Sequence, residues 1–443
     1  MWSAATQRRR LAAHLVTVGE ILREAVGYPS APVQPARRDL PPVVVLGGAS
    51  NAVSIARTLS RAGVKVYAIN KPDAAVRHSR FAQWMPIEAR DDAPAAWTEF
   101  LLGPRSDHLR GAVLLAANDA GIEIIARHRD ALAGRFLLDE SNPDAQLRML
   151  DKLTTYQAAA AAGVTTPRFW EVNSAQDLEG IRDELVYPLL VKPKISHSFT
   201  SRFCGKHLVA ANFSELVQGC EKLTQAGVSF LLTEKIPGPD DRLCSYYTYL
   251  DDGGRPLFHF TKRIIRRYPL NMGIACYHVT DWNPEVRNAA LRLFQAVGLR
   301  GLANAEFKRD ARDGKLKLIE CNARFTEANG LVARSGFDLA RFVYNRIVSL
   351  PTPPMDHYRV GLRLWYPLND YRAFRELHER GELTFLDWIG SLRRPMVLPL
   401  LDWRDPLPSL HKALQRLRAF AEVSGHARPP HSNPARSPAP SKP

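Results

Sequence analysis

Apolar and polar positions along this chain follow two different periods, and the change of period marks its units. VVVLGG (43–48) is a short apolar run ending in glycines. SNAVSIARTLSRAG (50–63) spaces its apolar residues as a helix does and stops at Gly63, and VKVYAIN (64–70) is apolar again. With GAVLLAANDA (111–120) as a further strand, this order predicts a parallel sheet of βαβ type. Ligands in such sheets bind beyond the strand ends, which draws attention to Asn118 and Asp119. From about 141 the alternation changes. DKLTTYQAAAAAGV (151–164) predicts a helix, YPLLVKPK (187–194) and FLLTEKIPGPDD (230–241) predict strands, and SYYTYLDDGGRPLFHFTKR predicts a hairpin. A helix around 283–298 follows, and no repeat of fixed period is present.

The most informative pattern is LIECNARF (318–325). Read with a two-residue period, Ile319, Cys321, Ala323 and Phe325 share an apolar face, while Leu318, Glu320, Asn322 and Arg324 share the other. Upstream, ANAEFK (303–308) places Asn304, Glu306 and Lys308 on one face. Asp313-Gly314 between them is a turn signal. A hairpin folded about Asp313 sets Glu306 opposite Glu320 and Asn304 opposite Asn322, with facing Cβ atoms about 5 Å apart. Facing carboxylates repel, and a divalent cation reverses the sign. Mg²⁺ takes oxygen ligands and shares carboxylates with substrate phosphates, so the hairpin reads as half of a Mg-nucleotide site. The plainer alternative is a polar hairpin facing solvent.

Composition narrows the picture. The 443 residues predict two to four units, with 45% hydrophobic residues to fill their cores. Sixty Lys+Arg against 45 Asp+Glu give a net charge of +15, compatible with nucleic acid, a membrane surface or a polyanionic small molecule. Cysteines at 204, 220, 244, 276 and 321 form no CxxC pair, which argues for a reducing compartment and against a zinc site or disulfide frame. RRRLAAHLVTVGEILREA begins like a signal peptide, but His14, Glu20, Arg23 and Glu24 make it read as an amphipathic helix. No apolar run is long enough to span a membrane. The expectation is a cytoplasmic protein. The GGASNA turn lacks GxGxxG spacing, and no acid ends the second strand, which argues against a dinucleotide site.

The ordered set Lys152, Lys192 in VKPK, TEKIPG, Glu306, Glu320, Asn322 and Arg324 resembles the ATP-grasp superfamily over roughly residues 41–345. KRIIRRYP, AEFKRD and DWRDPLPSL resemble, within it, a bacterial group of carboxylate–amine ligases that includes D-aspartate ligase. The resemblance implies an α/β and α+β fold, with a Rossmann-like domain ahead of a two-subdomain ATP-grasp fold. The expected units are an N-terminal helix and linker (1–40), a βαβ domain (41–140), the ATP-grasp domain (141–345), a family-specific segment (346–425) and a disordered Pro/Ser/Ala-rich tail (426–443).

The resemblance also implies roles. Lys152 and Lys192 match phosphate-contacting lysines. Glu234, Lys235 and Ile236 match the adenine-bordering segment, and Asp240, or equally Asp241, the ribose-holding acid. Glu306, Glu320 and Asn322 match magnesium ligands, with Mn²⁺ as an alternative metal. Arg324 matches the base that faces the transferred phosphoryl group or substrate carboxylate. The loop 196–205 matches the flap over the phosphates, although Phe199, Arg202 and Phe203 replace small residues there. RPLFHFTKRIIRR (255–267) holds five basic residues and no acid, so Lys262, Arg263 and Arg266 are expected to meet phosphates or substrate, or else to form a solvated edge strand. His197, His207, His259 and His278 receive no role. The function implied is ATP-dependent joining of a small carboxylate and an amine through an acyl phosphate, with no nucleic-acid or membrane partner and with homodimerisation left open. The competing readings are an ATP-binding sensor without ligase activity and a basic nucleic-acid-binding protein.

Overall fold

The computed structural model describes residues 40–88, 93–195 and 207–425. The expected N-terminal helix, the flap 196–205 and the tail 426–443 lie outside the described residues, apart from Leu40.

The first strands are β1 (Val43–Leu46), β2 (Val66–Ile69), β3 (Gln83–Trp84) and β4 (Val113–Ala116). They form one parallel sheet in the order β3-β2-β1-β4. β1, β2 and β4 are wholly buried, as their unbroken apolar runs require of a sheet covered on both faces. The Gly47-Gly48 turn serves close packing. Both residues have positive φ, and a Cβ on Gly47 would meet the Asn118 side chain at 2.2 Å.

A second sheet holds β5 (Phe169–Trp170), β6 (Leu189–Pro193), β7 (Leu208–Ala210) and β8 (Phe230–Glu234), antiparallel in the order β5-β8-β6-β7. The helix Phe213–Gln225 covers it through Leu216, Cys220 and Leu223. The largest sheet is built from β9 (Leu243–Leu250), β10 (Phe260–Tyr268), β11 (Ile274–Asp281), β12 (Gly301–Arg309), β13 (Leu316–Asn322), β14 (Arg363–Trp365) and β15 (Met396–Val397). Its order is β13-β12-β9-β10-β11-β14-β15, so residues 346–425 extend it by two strands.

Each face of the large sheet meets a different neighbour. Tyr246, Ala303, Ala305, Phe307, Leu316 and Leu318 pack on the helices Lys152–Ala161 and Pro284–Ala296. Tyr247, Tyr249 and Phe260 share a core with the helices Leu339–Ile347 and Ser50–Arg61, and with Val43 and Val45 of the first sheet. Asn51 ties the two bodies together. Its Nδ2 donates to Ala117 O at 2.7 Å and to Phe325 O at 3.0 Å.

Cys220, Cys244, Cys276 and Cys321 are free thiols. Among the described residues no helix is long and apolar enough to cross a membrane.

Candidate functional site

The hairpin β12–β13 brings Glu306 opposite Glu320 and Asn304 opposite Asn322. The register reaches this pairing by a route that the alternation does not show. Below the carboxylates Phe307 pairs with Leu318, Lys308 with Lys317 and Arg309 with Leu316. A β-bulge at Ile319 adds the one residue that lets Glu320 face Glu306. It also corrects the strict two-residue reading. Leu318, placed there with the polar residues, is fully buried in the core, and Ile319, placed with the apolar ones, lines the cleft.

The same face continues across the sheet. Ser245 pairs with Glu306, Lys262 with Ser245, and Thr280 with Lys262. One row of side chains, at about 4.8 Å per strand, therefore runs Glu320, Glu306, Ser245, Lys262, Thr280. Glu320, Glu306 and Lys262 of this row line a cleft of about 1120 Å³. Lys152, Asn322, Arg324 and Arg267 also line it, and the C-terminal ends of β1 and β4 supply Gly48, Asn118 and Asp119 from above. Arg324 closes one end. Its Nε donates to Asp119 Oδ1 at 2.5 Å and its NH2 group to Asn322 Oδ1 at 2.9 Å. Burial works against the Arg324 charge, but Asp119 outweighs it and the net pKa is raised.

Lys192 stands beside this cleft, buried on β6. Its Nζ donates to the Tyr156 hydroxyl at 3.2 Å. Lys152 is the first residue of its helix, where Asp151 caps by accepting from Thr154 N. Asn322 Nδ2 approaches Glu320 Oε1 at 3.3 Å. The Glu306 carboxylate has no ion-pair partner among the described residues. No three His, Cys, Asp or Glu residues of the described part group as metal ligands. The candidate donor set is instead two carboxylates and an amide, all oxygen donors as Mg²⁺ requires.

A second cavity of about 740 Å³ is lined by Lys235, Ile236, Asp240 and Asp241, with Arg263 from β10 and Leu383 beyond β14. Asp240 is buried and accepts from Asn271 N at 2.8 Å, whereas Asp241 is exposed. An ion pair between Arg267 Nε and Asp240 Oδ1 at 3.3 Å stands between the two cavities. Lys308 Nζ donates to Ile236 O and Gly238 O, and burial lowers its pKa to about 8.

Two expected residues make strong ionic contacts within the protein. The Glu234 carboxylate accepts from Lys317 Nζ at 2.9 Å, from the Arg312 guanidinium at 2.7 Å and from Arg168 N at 3.0 Å. Burial alone would raise its pKa, but these bonds bring it below the usual range. Its backbone N donates to Arg168 O. Arg266 leaves the face expected of it and lines the second cavity instead. Alternation places it on the Lys262 face, but an irregularity in β10 pairs Ile264 with His278 and then Arg266 with Tyr277. The guanidinium turns to the other face and binds Asp370 at 2.6 and 3.0 Å, both groups being buried. Trp365 and Trp388 donate to the same carboxylate.

A second shift pairs Arg267 with Ala275 and returns it to the cleft face, where Arg266 was expected. His278, given no role from sequence, is buried in the cleft wall. Desolvation and the nearby Lys262 hold its ring neutral. Tyr156 was also missed, although it sits one helical turn after Lys152 and so on the same face.

No family model matches the chain. A D-aspartate ligase of Enterococcus faecium (strain Aus0004) is 24% identical over 317 residues, spanning 68% of this chain and 75% of the relative. Among solved structures, an L-amino acid ligase from Bacillus licheniformis superposes with a TM-score of 0.52 at 17% identity, covering 70% of this chain and 75% of the other. The biotin carboxylase domain of Hydrogenobacter thermophilus 2-oxoglutarate carboxylase, solved with MgADP, ADP and bicarbonate, gives 0.56 at 16% identity, with 74% of each chain covered. The N5-carboxyaminoimidazole ribonucleotide synthetase of Thermus thermophilus gives 0.53 at 17% identity, over 71% of this chain and 81% of that one. What these structures share with this chain is its fold.

Proposed function

We propose that this chain, which has the ATP-grasp fold, is an ADP-forming ligase that joins a small carboxylate to an amine. The observation that carries the reading is the facing pair Glu306 and Glu320, with Asn322, on a cleft floor that also presents Lys152, Lys262 and Arg324. The relatedness to a D-aspartate ligase supports an amino acid as the carboxylate substrate.

In this reading the base and ribose of ATP take the cavity at Lys235–Asp241, and the triphosphate passes the Arg267–Asp240 pair into the larger cleft. Lys152 and Lys192 meet phosphate oxygens. Glu306, Glu320 and Asn322 fit a magnesium ion, because their donors are all oxygen and Glu306 has no cation among the described residues paired with it. When bound, such an ion neutralises phosphate charge and orients the γ-phosphoryl group.

The substrate carboxylate oxygen attacks the γ-phosphorus, and the bond to the β-phosphate bridging oxygen breaks, leaving ADP. The amine nitrogen then attacks the acyl carbon. Phosphate departs with the electron pair of the broken C–O bond, and the nitrogen loses a proton. Lys262, on the same row as Glu306, is placed to stabilise charge on the transferring group, and Arg324 orients the carboxylate by its planar fork. No side-chain nucleophile is required.

The test is phosphate release from Mg-ATP over a panel of acids and amines. The expected result is ADP and phosphate in equal amounts only when both partners of one pair are present. ATP binding with no turnover across a broad panel would favour a nucleotide sensor.

A further inference from the structure

We infer that Tyr156 is a positioning residue that couples the phosphate lysine Lys192 to the metal-side strand β13; the inference rests on the ligase reading above. Three elements converge on one phenol. The helix Lys152–Ala161 carries Tyr156 one turn after Lys152. Lys192 on β6 donates to the Tyr156 hydroxyl at 3.2 Å and lies 5.7 Å from the ring centroid. The hydroxyl itself donates to Ile319 O at 2.8 Å.

The polarity of this chain of bonds is fixed by its chemistry. An ammonium only donates and a carbonyl only accepts, so the single phenolic proton points at Ile319 and the oxygen lone pair at Lys192. Tyr156 is fully buried. Burial and the nearby Glu320 charge both favour the protonated phenol, so it keeps that proton.

The acceptor is no ordinary strand carbonyl. Ile319 is the bulge residue, without a cross-strand partner in the ladder. Its extra position is what sets Glu320 opposite Glu306 and sends Leu318 into the core. A bulge interrupts the regular ladder around it. Tyr156 donates to this carbonyl and in the same contact accepts from Lys192. One hydroxyl therefore links the position of Lys192 to that of the strand carrying Glu320. A phenylalanine would fill the same volume and remove both bonds.

The experiment uses the full chain with Mg-ADP as probe, measured by calorimetry, and Tyr156→Phe and Lys192→Met singly and together. The expected result is about tenfold weaker Mg-ADP binding for Tyr156→Phe, the equivalent of ~1.4 kcal/mol for a bond to a charged group. The Mg²⁺ concentration for half-saturation should rise in parallel. In the Lys192→Met background the second change should cost little further affinity, because the coupling has already gone. If Tyr156 serves only the fold, Tyr156→Phe changes the melting temperature in either background and leaves Mg-ADP affinity alone. Unchanged affinity in a folded Tyr156→Phe protein, or full additivity with Lys192→Met, overturns the inference while the ligase reading stands. Failure of the wild-type protein to bind Mg-ADP overturns both.

Discussion

Glu306 on β12 and Glu320 on β13 occupy directly paired positions, two half-buried carboxylates on one face of the sheet. Removing one charge should therefore relieve repulsion in the metal-free protein. Glu320→Gln is expected to be neutral or stabilising by about 0.2–1 kcal/mol without ligand. With Mg-ADP the order should invert, since the wild type gains stability by mass action and the variant gains far less. Melting curves with and without Mg-ADP read both effects. A variant that is less stable alone, yet gains as much from ligand, would make Glu320 a structural partner.

Lys262 belongs to the same row, two strands from Glu306. Lys262→Met should leave Mg-ADP affinity within about threefold of wild type and lower kcat by two orders of magnitude or more. This is the pattern of a group that acts on charge developing in the transfer. Steady-state kinetics beside calorimetry separates the two, and an equal loss in both would place Lys262 on the bound nucleotide.

Arg266 and Asp370 form a buried pair on the opposite face. Asp370→Asn leaves the guanidinium buried without its charge partner and should destabilise the fold by about 3–5 kcal/mol. Chemical denaturation reads this loss, and a variant as stable as the wild type would show that the pair does not hold this face together.

The cluster of Glu234, Asp310, Arg312 and Lys317 predicts a pH dependence. Bonds from Arg312 foremost, against an opposing burial effect, hold Asp310 well below the usual carboxylate range, and Glu234 is lowered as well. A carboxylate with a depressed folded pKa binds fewer protons folded than unfolded. Its stabilisation is present above the usual carboxylate pKa and is lost as pH falls through and below it. Glu234→Gln should flatten that acid-side loss and lower stability at neutral pH. Urea midpoints from pH 7 down to pH 3 would show it, and parallel curves for the two proteins would contradict it.

Which elements form, and which residues carry charge into them, follows from local sequence. The apolar runs at β1 and β4, the helix after Asp151 and the Asp313-Gly314 hairpin follow from period and turn chemistry, which are local. The order of lysines, carboxylates and arginine along the chain was legible for the same reason. Tertiary structure decided what a strict two-residue period cannot express. The bulge at Ile319 exchanged the faces of Leu318 and Ile319, yet it left Glu306 opposite Glu320, because it made up the one residue by which the turn is shorter than a hairpin centred on Asp313. The irregularities in β10 sent Arg266 to Asp370 and gave its expected place to Arg267. Neither is marked locally in the sequence. Each is paid for by a distant partner, Tyr156 at one and Asp370 at the other, and only folding brings those partners within bonding distance.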